Sequence, residues 1–264
     1  MFNRTVERTE YHKIRRVDRM LEQTYHAEQQ HFWYRGFRRF VEPLLIRATA
    51  GRIRPRILDC GSGTGSNLRF LERYGVPFGI DLSWQGLQFG HVRGLKRLTQ
   101  GSVASLPFAS ASIDVAVSFD VLYCLEDLAE EQAISEMFRV LKPGGALIVN
   151  VAALDMLKGD HSVLVSEVRR YTRDRLQSKL RSAGFLVDRM TYTNAALFPI
   201  AATIRALQRL RGVKADGGSR GDFYVPPKPV NALFSGALAV ESKLIAAGVN
   251  MPIGSSLLCL GHKN

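Results

Sequence analysis

The stretch RPRILDCGSGTG, residues 54–65, runs from a short apolar strand into a glycine-rich turn. The residues that follow predict a helix ending near Gly75 and then a second strand, VPFGID, whose last residue is Asp81. Glycines let the backbone turn tightly and approach a ligand closely. A carboxylate at the end of the second strand is placed to accept both ribose hydroxyls of a nucleoside. The stretch therefore predicts a parallel α/β sheet that binds a nucleoside.

Composition is that of an ordinary globular protein of 264 residues, a length that suits one α/β domain. No apolar run is long enough to predict a membrane-spanning helix, and the charged N-terminus does not resemble a secretory signal. Three scattered cysteines lack metal-ligand spacing, so we expect no metal and a reducing, cytoplasmic location. The formal net charge of +12 favours RNA, anionic lipids or acidic small molecules without choosing among them.

The spacing of the glycines distinguishes between two nucleoside cofactors. A dinucleotide site requires G-x-G-x-x-G, whereas here the third glycine comes one residue early, at Gly65, and Ser66 stands where the fingerprint has Gly or Ala. Asp59 also precedes the glycines, where it suits the ammonium group of a methionine better than a pyrophosphate. The pattern favours S-adenosylmethionine, with S-adenosylhomocysteine as the product, over NAD.

Four segments occur in order along the chain: ILDCGSGTG, FGIDLS, GSVASLPFASASIDVAVSFDVLYCL and MFRVLKPGGALIVNVA. They resemble the successive motifs of class I S-adenosylmethionine-dependent methyltransferases, especially the bacterial type 11 group, over roughly residues 50–152. The resemblance implies a Rossmann-like α/β fold with a seven-stranded sheet ordered 3-2-1-4-5-7-6, the last strand being antiparallel.

The resemblance also implies a set of cofactor contacts. Asp59, Gly61 and Gly63 would hold the methionine end of the cofactor. Gly65 would permit helix packing, and Asp81 would bind the ribose hydroxyls. The pair after the third strand would meet the adenine edge, although Ser102 stands where the family commonly has aspartate. The full set is Asp59, Gly61, Gly63, Gly65, Asp81, Leu82, Ser102, Val103, Phe119 and Tyr34, the last of these in a helix that caps the pocket.

Domain boundaries follow from the alternation of helices and strands. Residues 1–50 predict an N-terminal helical cap, and residues 51–193 predict the cofactor-binding core. Residues 194–250 predict a two-helix insertion that covers the acceptor site, and residues 251–264 provide the last strand. Within the insertion, the glycine-rich loop at 212–222 is a predicted mobile segment or lid.

The methyl acceptor would be bound beyond the carboxyl ends of the strands. His161 and Tyr123 are the candidate catalytic residues, and the competing interpretation of His161 is a loop histidine without a role. Arg169, Arg170 and Tyr171 could grip a phosphate or carboxylate, since arginine side chains suit both. They could equally form the basic start of a solvent-facing helix.

These patterns support three functional hypotheses. The first is methyl transfer to a small natural product, sugar or lipid-linked acceptor, with oxygen as the favoured atom. The second is an RNA methyltransferase, which the charge suggests but the absence of an RNA-binding module disfavours. The third is a non-catalytic S-adenosylmethionine-binding protein. The insertion segment LFPIAATIRALQRLRG is apolar first and basic later. With the second insertion helix it could wall an apolar acceptor pocket, make a weak contact with a membrane surface or simply pack on the sheet.

Overall fold

The computed structural model of the protein describes residue 18, residues 20–212 and residues 224–264. The predicted lid loop, apart from Gly212, and residues 1–17 and 19 of the predicted N-terminal cap lie outside these residues. Of the N-terminal cap, a helical stretch over residues 20–27 and a long helix are described.

The seven strands in the described part of the chain belong to one sheet, whose order β3-β2-β1-β4-β5-β7-β6 confirms the predicted order. The pairs from β3 through β5 are parallel, whereas β7 lies antiparallel between β5 and β6. The strands are β1 (Arg56–Cys60), β2 (Val76–Asp81), β3 (Leu98–Gln100), β4 (Ile113–Phe119), β5 (Leu141–Ala152), β6 (Phe185–Thr193) and β7 (Ser256–Lys263).

Helices connect the strands and cover the sheet, so the inner strands β4 and β5 are buried along most of their length. Between β6 and β7 the chain forms the two helices of the insertion. The helices are α1 (Phe32–Thr49), α2 (Ser66–Leu71), α3 (Trp84–Val92), α4 (Asp127–Val140), α5 (Asp160–Leu164), α6 (Arg173–Ser182), α7 (Phe198–Leu210) and α8 (Lys228–Ala246).

The start of β5 is irregular. The residues KPGG, at 142–145, carry a proline and two glycines typical of a turn, but β5 already begins at Leu141, which pairs with Ile113 of β4. The register shifts between Ile113 and Val115, and Gly144 has a φ of 69°. An irregularity of this kind lets a strand contain a turn-forming glycine without ending.

The N-terminal cap packs directly on the insertion through α1 and α8. A Cβ on Gly36 would lie 2.4 Å from Cδ1 of Leu238, so the absence of a side chain lets the two helices approach closely. The backbone N–H of Phe32 donates to Oδ1 of Asn231 at 2.8 Å, and Nδ2 of Asn231 donates to the carbonyl of Gln30 at 2.9 Å. These contacts fix the two covering elements relative to each other.

Candidate functional site

A large cavity, with a volume of about 1220 Å³, lies beside the loops that follow β1, β2 and β4. Sites for one small molecule usually measure about 300–1000 Å³, so this cavity has room for two ligands. The glycine turn and the end of β2 line one end of the cavity. Side chains from α1, α5, α7 and α8 line other parts of its wall.

The glycine turn is tightly packed. Gly61, Gly63 and Gly65 all have positive φ, at 90°, 51° and 74°. A Cβ on Gly61 would lie 2.2 Å from Val121, and one on Gly65 would lie 2.4 Å from Leu95. Gly61 and Gly63 line the cavity, whereas Gly65 lies outside it. The position of Gly65 therefore agrees with the packing role expected of it.

Asp81 connects the end of β2 to the glycine turn. Its Oδ2 accepts a hydrogen bond from the N–H of Gly63 at 2.7 Å, and its Oδ1 accepts one from the N–H of Ser83 at 2.8 Å. The residue lines the cavity, and burial raises the pKa of its carboxyl group. Because a carboxylate oxygen can accept more than one hydrogen bond, both oxygens retain capacity for ribose hydroxyls.

Asp59 is buried at the end of β1, two residues before Gly61. Neither carboxyl oxygen has a hydrogen-bond partner within the described part of the chain. Burial, followed by the negative charge of Asp81, raises the pKa of Asp59 to about 8. A buried carboxylate without a partner is costly, and an ammonium group would compensate it. The residues present therefore fit the ammonium end of S-adenosylmethionine.

We expect binding of S-adenosylmethionine to release about one proton at pH 7. The carboxyl group of Asp59, with its pKa of about 8, is protonated at that pH, and a neighbouring ammonium favours the ionised form. Calorimetric titrations in two buffers of different ionisation enthalpy measure the proton count. Asp59→Asn should remove the release, and a binding enthalpy independent of the buffer would contradict this assignment.

The residues expected at the adenine also line the cavity. Leu82 is 70% exposed, which leaves an apolar surface for a flat ring. Ser102 and Val103 lie on the cavity wall, but Oγ of Ser102 accepts the N–H of Ala104 at 3.1 Å. That hydrogen bond closes a local turn, so the hydroxyl of Ser102 stabilises the backbone conformation at this position.

The N-terminal cap is held to the glycine turn by a buried cluster that the sequence did not predict. The Oγ1–H of Thr64 donates to the carboxylate of Glu28 at 2.9 Å, and Arg93 pairs with the same carboxylate. Arg93 also donates to the carbonyl of Thr64 at 2.8 Å. We call these three residues the Glu28 clamp. Tyr34, expected in the cap of the pocket, lines the cavity as well.

A partly buried carboxyl group, that of Asp120, also lines the cavity. The residue follows β4 with a left-handed φ of 62°, lies next to Phe119 on the cavity wall, and accepts a hydrogen bond from Nδ2 of Asn150 at 2.9 Å. Burial raises the pKa of its carboxyl group to about 7, although Asn150 and the charge of Arg170 act in the opposite direction. Such a group can exchange protons near neutral pH.

The two predicted catalytic residues also line the cavity. His161 is half-buried on α5. Tyr123 is buried, and burial together with the charge of Asp120 raises the pKa of its hydroxyl far above the ordinary value. Tyr123 therefore remains protonated, so it can donate a hydrogen bond but does not suit the role of a base.

The three predicted substrate-binding residues separate in the structure. Arg170 lines the cavity, where it holds Glu167 through two hydrogen bonds of 2.8 Å. Arg169 and Tyr171 lie outside the cavity and are buried. Arg169 pairs with Glu130 at 2.9 Å, and the hydroxyl of Tyr171 donates to the same glutamate. The prediction that these two contact an acceptor needs correction, because their polar atoms are committed to the interior.

Arg169→Ala is expected to destabilise the fold by on the order of 3 kcal/mol, because it leaves the buried carboxylate of Glu130 without its main partner. Urea denaturation measures the change, and Arg181→Ala, at an exposed position on α6, is the control. Binding of S-adenosylmethionine should remain within a few-fold of wild type. A large loss of affinity in a stable variant would place Arg169 in the binding site after all.

The family model described as a methyltransferase domain, type 11, matches residues 58–149. A Mycolicibacterium smegmatis protein named "probable S-adenosylmethionine-dependent methyltransferase" is 32% identical over 165 residues, which are 61% of this chain and 62% of that protein. The demethylmenaquinone methyltransferase of Tropheryma whipplei is 35% identical over 113 residues, 40% of this chain and 44% of that protein. The chain thus spans less than two thirds of either relative.

Among solved structures, a SAM-dependent methyltransferase from Thermotoga maritima has the same fold. It matches with a TM-score of 0.57 at 18% identity, covering 96% of this chain and 100% of that one. Within residues 20–212 and 224–264, no group of three or more His, Cys, Asp or Glu could hold a metal ion. In the same part of the chain, no helix has the length and hydropathy needed to cross a membrane.

Proposed function

Because residues 58–149 belong to the type 11 family of class I S-adenosylmethionine-dependent methyltransferases, we propose that the chain methylates a small acceptor with an apolar body. When bound, S-adenosylmethionine supplies an electrophilic methyl group on a sulfonium. Asp59, the glycine turn and Asp81 would hold this cofactor. The chain's own contribution is alignment of the acceptor and exclusion of water.

The observation that carries this proposal is the continuity of the cavity. Its cofactor end, at Asp81, and its far end, at α7, belong to one space of about 1220 Å³, with Phe119 and Asp120 on its wall. The far end is largely apolar, which suits a hydrophobic acceptor. Its apolar lining includes Phe37, Leu157, Leu197, Ile200, Ile204 and Phe234.

The similarity to a demethylmenaquinone methyltransferase supports the same class of acceptor. A quinone of that kind combines an oxygen-bearing ring with an apolar chain, and its reduced form carries ring hydroxyls. We infer that the ring lies near Asp120 and the chain extends along α7. The polar groups of Tyr123 and His161 would then bind the ring substituents.

Asp120 is the proposed proton acceptor for a hydroxyl on the acceptor. Its Oδ1 already accepts the hydrogen bond from Asn150, so Oδ2 is the atom that takes the proton. Ionisation of the hydroxyl strengthens the oxygen as a nucleophile, and methyl transfer to oxygen follows by in-line displacement. Tyr123, which keeps its own proton, would donate a hydrogen bond to the same substrate.

Calorimetric titration with S-adenosylmethionine and S-adenosylhomocysteine is the first test. Micromolar binding of both supports the cofactor site, and methyl transfer is then measured by mass spectrometry on phenols and quinols with and without a prenyl chain. Higher kcat/KM for the prenylated members supports the acceptor class. Preferential methylation of an RNA pool would favour the RNA hypothesis, and binding without transfer to any pool would favour a non-catalytic binder.

A further inference from the structure

The insertion helix α7 exposes an apolar face. Ile200, Ile204 and Leu207 are spaced four and three residues apart, so they lie on one side of the helix, and Leu210 follows three residues later. Their side chains are 46%, 47%, 59% and 84% exposed. No residue of α7 is fully buried. We call these four residues the α7 stripe.

The stripe is continuous with the interior of the protein. Ile200 and Ile204 line the cavity while remaining about half exposed, and Tyr224, which is 54% exposed, also lines it. Leu207 and Leu210 extend the same face beyond the cavity. An apolar path therefore runs from the acceptor end of the cavity to the outer surface.

The charged side chains of the segment that carries the stripe are all basic. Residues 194–212 contain three arginines and no acidic residue. Arg205 lines the cavity, whereas Arg209 and Arg211 are exposed at the end of the helix. Arg211 pairs with Asp160 at 2.7 Å but keeps half of its side chain exposed. Long arginine side chains beside an apolar face can reach phosphate groups while the face itself is buried.

We propose that the α7 stripe docks on the surface of an anionic lipid bilayer, where it opens the cavity toward the lipid phase. An amphipathic helix lying in the interface gains affinity from its apolar residues and from attraction to anionic headgroups. The overall charge of +12 acts in the same direction. Docking itself does not depend on methyl transfer, but acceptor entry from the bilayer rests on the function proposed above.

A second copy of the chain fits this surface less well. Stable interfaces bury about 800 Å² on each partner, whereas the stripe consists of four side chains on one helix. Two copies would also bring two arginine-bearing segments against each other, and residues 194–212 contain no acidic residue of their own. Charge and size both favour a lipid surface.

Sedimentation with vesicles tests the proposal in the absence of S-adenosylmethionine. One set of vesicles contains equimolar phosphatidylcholine and phosphatidylglycerol, and the other contains phosphatidylcholine alone. The test variant is L207Q/L210Q, which alters only residues outside the cavity. The matched control is V92Q/L128Q, at two positions on α3 and α4 that are 76% and 68% exposed. Neither variant changes the net charge.

Wild-type protein should bind the anionic vesicles, and L207Q/L210Q should bind them about tenfold more weakly, while V92Q/L128Q binds like wild type. Absence of wild-type binding, or equal binding by L207Q/L210Q, overturns the proposal. So does a wild-type dimer in light scattering that L207Q/L210Q dissociates. Titration of each protein with S-adenosylmethionine shows that the site is folded, and it tests the proposed function separately from vesicle binding.

Discussion

Asp81→Ala is expected to weaken S-adenosylmethionine binding by on the order of 100-fold or more. A hydrogen bond to a charged group contributes about 1.5–3 kcal/mol, and this carboxylate is expected to accept two from the ribose. The substitution also removes the acceptor of the Gly63 and Ser83 N–H groups, which hold the glycine turn against β2. Titration calorimetry with both S-adenosyl compounds measures the loss.

Two further variants make this result specific. Asp81→Asn keeps an oxygen for one of the two backbone N–H groups, and we expect it to bind more tightly than the alanine variant. Asp188→Ala removes a carboxylate that pairs with His262 far along the sheet, on β6, and should leave affinity unchanged. Wild-type affinity in a folded Asp81→Ala variant would exclude a ribose contact at this residue.

Asp120→Asn should reduce kcat by roughly 10²–10⁴-fold, the usual contribution of a positioned acid or base, with S-adenosylmethionine affinity within a few-fold of wild type. Asparagine suits this test because it tolerates the left-handed backbone and can still accept the hydrogen bond from Asn150. Single-turnover measurements separate the chemical step from binding. A variant with full turnover would rule out Asp120 as the base.

The pH profile gives an independent readout of the same group. Burial holds the pKa of Asp120 at about 7, so the carboxylate needed to accept a proton is present above that pH and is lost below it. We expect the wild-type rate to fall about tenfold per pH unit well below pH 7. The limb should disappear in Asp120→Asn and persist in His161→Ala. Loss of the limb only in His161→Ala would transfer the role of base to the histidine.

Much of the fold and of the cofactor end could be predicted because the signals are local. The glycines between β1 and α2 and the carboxylate at the end of β2 are read directly from the sequence, and the structure joins Gly63 to Asp81 by a hydrogen bond. The sheet order followed from the family resemblance, since alternation alone fixes a parallel sheet but not its permutation.

The remaining features depend on contacts between distant residues. Glu28 and Arg93 are 65 residues apart, and Asp120 and Asn150 are 30 apart, so no spacing rule connects either pair. The sequence also does not show which of two adjacent arginines is drawn into the interior. Arg169 and Arg170 are neighbours in sequence, yet Glu130 draws the first into the interior while the second reaches the cavity wall. Only the packing of α4 against the later segment distinguishes them.

The Glu28 clamp has a consequence for the rate of turnover. It ties the N-terminal cap to the turn that holds the cofactor, and the contact between Asp18 and Ser83, at 2.9 Å, joins the cap to the end of β2 as well. We expect S-adenosylhomocysteine to dissociate only after the N-terminal cap detaches from the glycine turn. The rate of detachment would then set the residence time of this product. Because the ion pair is buried, added salt would shorten that residence time little.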